Sequence, residues 1–313
     1  MKTQVHTLFA EQLKNWDLAR QNYAALKSVC IKEIDVRSIR YKVQFNACRI
    51  ISSAAKIDKE TLEKRECFLC EKNMPTQQKG IDFKGKYKVL INPFPIFEHH
   101  LTIPTIEHTP QSIVGRFRDM LELAKEFEEF TIFYNGAKCG ASAPEHAHFQ
   151  GCDKGVMPIE KAWEEGGTRE VIGKKGESML WEFNGWLGDV LVVESGKIEE
   201  AEEIFNIIYN LLEIKVGESE PMLNIIANYA LNKWIIFVFL REKHRPYCYG
   251  TEGDRSFVIS PATVEMGGII ITPLEKDFLK ITGDDIFKII TDVSISKNNF
   301  NQIIENIKRE LGE

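Results

Sequence analysis

The chain has 313 residues, 43% of them hydrophobic and 27% charged, with a formal net charge of −6. That length suffices for two modest domains with apolar cores, and the composition is that of an ordinary soluble protein. The acidic balance speaks against nucleic acid or an anionic membrane surface as partners, and seven scattered cysteines, an odd number, make no disulfide framework.

The opening segment is mixed polar and apolar with no signal-like region, and the longest apolar run, Trp234 to Leu240, is too short to span a bilayer. A reduced, cytoplasmic enzyme is expected. Residues 4–28 carry Leu8, Leu13, Trp16, Leu18, Tyr23 and Leu26 at helical spacing, so an amphipathic helix opens the chain. Residues 39–51 alternate as a strand pair. Arg40, Asn46 and Arg49 fall on its polar side, where Asn46 and Arg49 are candidates for substrate contact and a solvated edge is the plainer reading.

Cys67 and Cys70 form a CxxC pair. In a reduced protein such a pair is a metal knuckle, a redox dithiol or an unoccupied structural pair. No βαβ context surrounds it, and histidines follow within about forty residues, which favours zinc. Tyr87 to Asn92 and His100 to Pro104 read as neighbouring strands, and 113–130 as an amphipathic helix entered at Thr109-Pro110. His108 sits at the strand-to-helix corner between them. Of His99 and His100, which fall on opposite faces, one at most can reach a site there.

Thr131 to Tyr134 is a short strand. A glycine-containing turn, 135–144, leads to a second extended piece, His146-Ala-His-Phe-Gln150. In extended chain His146, His148 and Gln150 share a face, with Ala147 and Phe149 on the other. Five of the seven histidines lie between positions 99 and 148.

Residues 158–188 read as irregular. A strand near Val190 to Glu194, a helix from Ile198 to Leu212 and a hairpin of Met222 to Tyr229 with Trp234 to Arg241 follow. The run 241–245 carries a basic cluster off the last strand. Strands at Phe257 to Pro261 and Met266 to Thr272, and a helical tail from Asp284 to Leu311, close the chain. The second half loosely repeats the first without its histidines and cysteines, the pattern of a decayed duplication.

The row His146-Ala-His-Phe-Gln150 resembles the H-x-H-x-Q signature of the transferase branch of the histidine triad (HIT) superfamily, which includes uridylyltransferases and dinucleotide and nucleotide-sugar phosphorylases. Cys67-Phe-Leu-Cys70, Asn92-Pro-Phe-Pro95, His100 to Pro104 with His108, and the loop Asn135-Gly136 to Ser142 resemble further parts of that family, over about residues 40–155. The resemblance implies an α+β, HIT-like fold of two halves, each with an antiparallel sheet flanked by helices. Residues 1–157 would be an N-terminal helix plus the catalytic half with its zinc site. Residues 158–313 would be a second HIT-like half without catalytic motifs, plus C-terminal helices. It also implies a structural Zn2+ held by Cys67, Cys70, His108 and His146, with His100 as runner-up ligand. His148 would be the nucleophile and Gln150 the partner of the reacting phosphoryl group. Asn92, Asn135, Gly136, Gly140 and Ser142 would contact the nucleotide or its phosphates.

The chemistry is coherent by itself. A neutral imidazole attacks phosphorus without a separate base, and a ligated His146 would pin the chain beside His148. The expected activity is therefore nucleotidyltransfer or phosphorolysis of a nucleoside diphosphate sugar or dinucleoside polyphosphate, with phosphate or a sugar phosphate as acceptor. A homodimer is left open. The competing readings are a hydrolase of the same superfamily and a zinc-stabilised nucleotide-binding protein without turnover. Gln150, an amide that cannot supply a proton, weighs against the hydrolase.

Overall fold

A computed structural model describes residues 2–49, 65–253 and 255–312. Two helices, α1 (Lys2–Asn15) and α2 (Asp17–Ala25), precede a hairpin of β1 (Cys30–Val36) and β2 (Ile39–Phe45). Then come β3 (Gly80–Phe83), β4 (Tyr87–Ile91), β5 (Leu101–Pro104), α3 (Phe117–Glu126), β6 (Phe130–Asn135) and β7 (His148–Asp153). The second half gives α4 (Pro158–Glu164), β8 (Glu170–Lys175), β9 (Ser178–Phe183), β10 (Val190–Ser195), α5 (Ile198–Asn210), β11 (Leu223–Ala230) and β12 (Lys233–Leu240). It closes with α6 (Thr263–Met266), β13 (Ile269–Thr272), α7 (Glu275–Lys280), α8 (Gly283–Val293) and α9 (Lys297–Leu311). None of the described helices is long and apolar enough to cross a membrane.

The architecture is α+β, as the sequence leads one to expect. Ten strands form one antiparallel sheet in the order β3-β4-β5-β7-β6-β11-β12-β10-β9-β8. Read inward from each edge, β3-β4-β5-β7-β6 and β8-β9-β10-β12-β11 are the same arrangement, with α3 and α5 inserted at the same point. Each half is thus an antiparallel five-stranded unit flanked by helices, and the repeated order is the mark that an internal duplication leaves. The halves meet where β6 pairs with β11, Asn135 opposite Asn224.

The central strands are covered on both faces and read as unbroken apolar runs instead of alternating ones. Phe130, Ile132 and Tyr134 of β6 join one core beneath α1, α2, α3, α5 and α9, which contribute Phe9, Tyr23, Phe117, Phe205 and Phe300. Phe133, Phe237 and Phe239 join a second core on the opposite face with Trp163 and Trp186. A small sheet of β1, β2 and β13 covers that face, and β13 runs parallel to β2, so residues 269–272 complete a unit begun near the N-terminus.

Several local expectations differ from what forms. The hairpin around residue 40 pairs 30–36 with 39–45 and not the two parts of 39–51, because Cys30 to Val36 supplies the partner. Residues 47–49 make a single 3-10 turn, and Ile50 and Ile51 lie outside the described residues. The opening helix breaks at Trp16, whose side chain is buried. The helix expected over 113–130 begins only at Phe117, and the tail is cut at 294–296 into α8 and α9. Residues 257–261 form no strand, and β13 starts only at Ile269, after the single turn α6. The largest miss is 158–188, which holds α4, β8 and β9. Pro158 opens α4, where its missing N–H costs nothing. The polar β8–β9 hairpin is fastened by Glu200 of α5, whose carboxylate accepts from Glu177 N, Ser178 N and Ser178 Oγ.

Candidate active site

The candidate site gathers around the start of β7. Before it, His146 N–H donates to Ala143 O, a turn that carries the His146 side chain off the strand and toward the CxxC turn. The expectation that His146, His148 and Gln150 form one row is therefore corrected: the strand begins at His148, and His148 and Gln150 line a cleft while His146 faces the cysteines. Cys67 Sγ lies 3.3 Å from His146 Nδ1, and Cys70 Sγ lies 3.1 Å from His108 Nδ1 and 3.6 Å from His146 Nδ1.

All four donor atoms fall within 4.8 Å of one another, a group able to hold a metal ion. Tetrahedral zinc with bonds of about 2.0–2.3 Å needs its ligand atoms roughly 3.3–3.8 Å apart, so the Cys2His2 donor types suit zinc and the pairs at 3.1–3.6 Å lie close to that span. His146 Nε2–H donates to Thr105 O at 2.8 Å, which fixes the tautomer and turns the Nδ1 lone pair to the cluster. His100 is not among these donors.

His148 is 5% exposed. Its Nδ1–H donates to His146 O at 2.8 Å, and its Nε2 has no hydrogen-bond partner among the described residues. Burial pushes this imidazole down to about 4. Gln150 is oriented from behind. Ile96 N–H donates to His100 Nδ1 at 3.3 Å, so the proton sits on His100 Nε2, which donates to Gln150 Oε1 at 2.9 Å. With its oxygen so engaged, Gln150 keeps its NH2 for the cleft beside His148. His99 points away and pairs with Asp153 at 2.9 Å.

The loop after β6 is held from the second half. Asn135 Oδ1 accepts from Thr263 N (2.8 Å), Thr263 Oγ1 (2.7 Å) and Asn224 Nδ2 (3.2 Å), which leaves the Asn135 amide NH2 for the cleft. Glu220 accepts from Ile113 N, Ala137 N and Tyr134 O–H and ties the loop to its surroundings. Gly140 needs its φ of +96°, and a Cβ there would meet Ala262 at 2.3 Å.

The cleft has a volume of about 540 Å3, and of the expected residues Arg49, Asn92, Asn135, Gly140, Ser142, His148 and Gln150 line it. Gly136 and Asn46 do not. Gly136 packs against Leu223 O, and Asn46 is buried with its Nδ2 donating to Pro95 O at 3.3 Å. Asn92 spends its amide on Thr102 Oγ1 and its oxygen on Phe94 N–H, so it shapes the turn.

Residues 162–313 match the family described as GDPGP1-like, C-terminal domain, and residues 8–153 match a domain of unknown function (DUF4922). Yeast Ap4A phosphorylase Apa2 superposes with a TM-score of 0.55 at 15% identity, over 89% of this chain and 94% of that one. The same enzyme in complex with AMP gives 0.55 at 16% identity, over 91% and 97%. Residues 162–313 thus belong with the GDPGP1-like C-terminal domains, and the chain as a whole has the fold of the yeast phosphorylase. A comparison with curated protein sequences gives no significant match.

The site residues that sequence reasoning missed all make their contacts across long separations. His100, the runner-up metal ligand on sequence grounds, stands instead behind Gln150, a place that needs Ile96 and β7. Asn224, Glu220, Thr263 and Glu265 come from the second half, where no motif marks them. Glu265 lies in the cleft, 7% exposed, and burial pushes its carboxyl up to about 7. The basic run at 241–245 places His244 and Arg245 in the lining of the same cleft.

Proposed function

We propose that this protein is a nucleotidyltransferase or phosphorylase that passes a nucleoside monophosphate through His148, taken from a nucleoside diphosphate sugar or a dinucleoside polyphosphate. The observation that carries this reading is His148 itself, a buried neutral imidazole whose Nδ1–H is committed to His146 O and whose Nε2 lone pair stands over the cleft. Nε2 attacks the α-phosphorus, a P–N bond forms, and the bridging P–O bond breaks with its electrons leaving on the departing phosphate. The hydrogen bond from Nδ1–H to the carbonyl stabilises the positive charge that grows on the ring. The NH2 groups of Gln150 and Asn135 then donate to the phosphoryl oxygens as their charge rises. The acceptor oxygen attacks the same phosphorus, and the P–N electrons return to Nε2.

The yeast relative is described in complexes with Ap4A and AMP, which supports a nucleotide ligand for this cleft. Gln150 favours transfer over hydrolysis, since an amide cannot hand a proton to a leaving group. Zinc is the metal proposed for Cys67, Cys70, His108 and His146. When bound it would supply a closed structural anchor with no open position for water. Elemental analysis of carefully purified protein is expected to find one zinc per chain, and a metal-free preparation of equal stability would sink that part. The catalytic half proposed is 1–157, with 158–313 as its non-catalytic counterpart.

The test is trapping. With a labelled donor and no acceptor, the quenched protein should carry an acid-labile, base-stable label. His148→Gly should lose the label and slow turnover by several orders of magnitude, about the effect of deleting a nucleophile. A label that persists in His148→Gly, or sits elsewhere, refutes the assignment.

A further inference from the structure

A second cavity, of about 440 Å3, shares no lining residue with the cleft but is built from the same two segments of chain. The chain leaving β12 puts His244 and Arg245 in the cleft and Pro246, Tyr247 and Cys248 in the cavity. The returning chain puts Arg255 and Phe257 in the cavity and Ser260 and Ala262 in the cleft. The two segments are paired. Phe257 N–H donates to Cys248 O at 2.9 Å, and Arg245 Nε donates to Ser260 Oγ at 3.4 Å. One paired layer therefore supplies part of the wall of both the cavity and the cleft. The rest of the cavity is α8, and Asp292 fastens the layer to it by accepting from Tyr247 N and Lys243 Nζ at 2.6 Å each.

A cavity of this volume has room for a small molecule, and its chemistry suits one class. Its two carboxylates are engaged already: Asp292 as above, and Asp285 at the N-terminus of α8 by Thr282 N at 3.0 Å and Thr282 Oγ1 at 2.6 Å. Its two cations are not. Among the described residues the side chains of Arg255 and Lys288 have no hydrogen bond or ion pair. An arginine and a lysine left over in one concavity suit a phosphate, whose oxygens accept charge-assisted hydrogen bonds from both. Beside them Tyr247 is 79% exposed, and Lys243 Nζ lies 3.7 Å from its ring centre. The ammonium covers one face, and the other is a platform on which a planar ring can stack. Phe257 and Ile289 add apolar surface to the same cavity.

We propose that this cavity is an effector site for a nucleoside monophosphate, with the phosphate on Arg255 and Lys288 and the base on Tyr247. A ligand there shifts the paired layer, so the affinity of the cleft changes with the occupancy of the cavity, and by linkage the effect is mutual. The site stands on its own geometry and is tested by binding alone, so it holds or fails apart from the transfer reaction assigned to His148.

The experiment is equilibrium dialysis of the full chain with labelled AMP and, separately, labelled GMP. Two bound equivalents per chain are expected at saturation with at least one of them, one in the cleft and one in the cavity. Filling either should change the affinity of the other about fivefold or more. Arg255→Gln combined with Lys288→Gln should weaken one equivalent about tenfold or more and leave the other in place. Both side chains are exposed, so the melting temperature should stay that of the wild type. Tyr247→Ala is the second variant. It should weaken the same equivalent about fivefold or more, the loss of a stacked base, without changing competition by ribose 5-phosphate, which has no base. A single equivalent with both nucleotides, or two equivalents that both survive in the double variant, overturns the site. Two equivalents that fill independently overturn its effector role. Loss of the trapped label on His148 would sink the transferase reading and leave this site standing.

Discussion

At the scale of single residues, the His100 imidazole behind the cleft is held neutral, and that has a cost in acid. His100 is fully buried, and burial and Arg49 push it down to about 3. Unfolding frees it to a pKa of about 6.5, so between those values the unfolded chain binds more protons and stability falls as pH falls. Urea denaturation of the wild type should lose up to about 1.4 kcal/mol per pH unit from this group between pH 6.5 and 3. His100→Gln, which can still donate to Gln150, should show a shallower slope over that window. Equal slopes would mean that His100 is not the buried neutral base described. The pairing of His148 with Gln150 was legible in the sequence, because two-residue spacing on a strand fixes a common face. The orientation of the Gln150 amide was not, since it is set by a histidine fifty residues away and by Ile96 N–H.

At the scale of elements, those with dense β-branched and aromatic runs were the ones the sequence exposed. The β11–β12 hairpin is an example, and its two-residue turn is unusual. Leu231 and Asn232 adopt φ of 52° and 62°, a left-handed pair that asparagine and glycine accept and leucine resists. Leu231 is 95% exposed and repays none of the strain by packing. The double substitution Leu231→Asn with Asn232→Gly is expected to stabilise the protein by about 1 kcal/mol in denaturant titration. A decrease in stability would show that the Leu231 side chain has a partner in the assembled protein. The β8–β9 hairpin escaped notice for the opposite reason. Its residues are polar and glycine-rich, and Glu200 on a distant helix holds its turn.

At the scale of the whole molecule, the halves repeat one another but do not stand apart. β6 is buried along its whole length and pairs with β11 on one side, while β13 returns from the second half to pair with β2. A fragment of residues 1–157 would expose the apolar edge of β6 and lose the cover of one core. It should elute as aggregate in size exclusion and lack a cooperative thermal transition, and co-expression with 158–313 should restore both. A monodisperse, cooperatively folding 1–157 would contradict this account of the sheet. The sequence by itself showed the cysteine pair, His108 and the spacing of His146, His148 and Gln150, and two-residue spacing on an extended chain put His148 and Gln150 on one strand face. Only the tertiary structure decided which groups stand around them. Antiparallel pairing across the β6–β11 junction brings Asn224, Glu220, Arg241, His244 and Glu265 from the unmarked half to the marked one, and contacts between residues some hundred positions apart leave no periodicity to read.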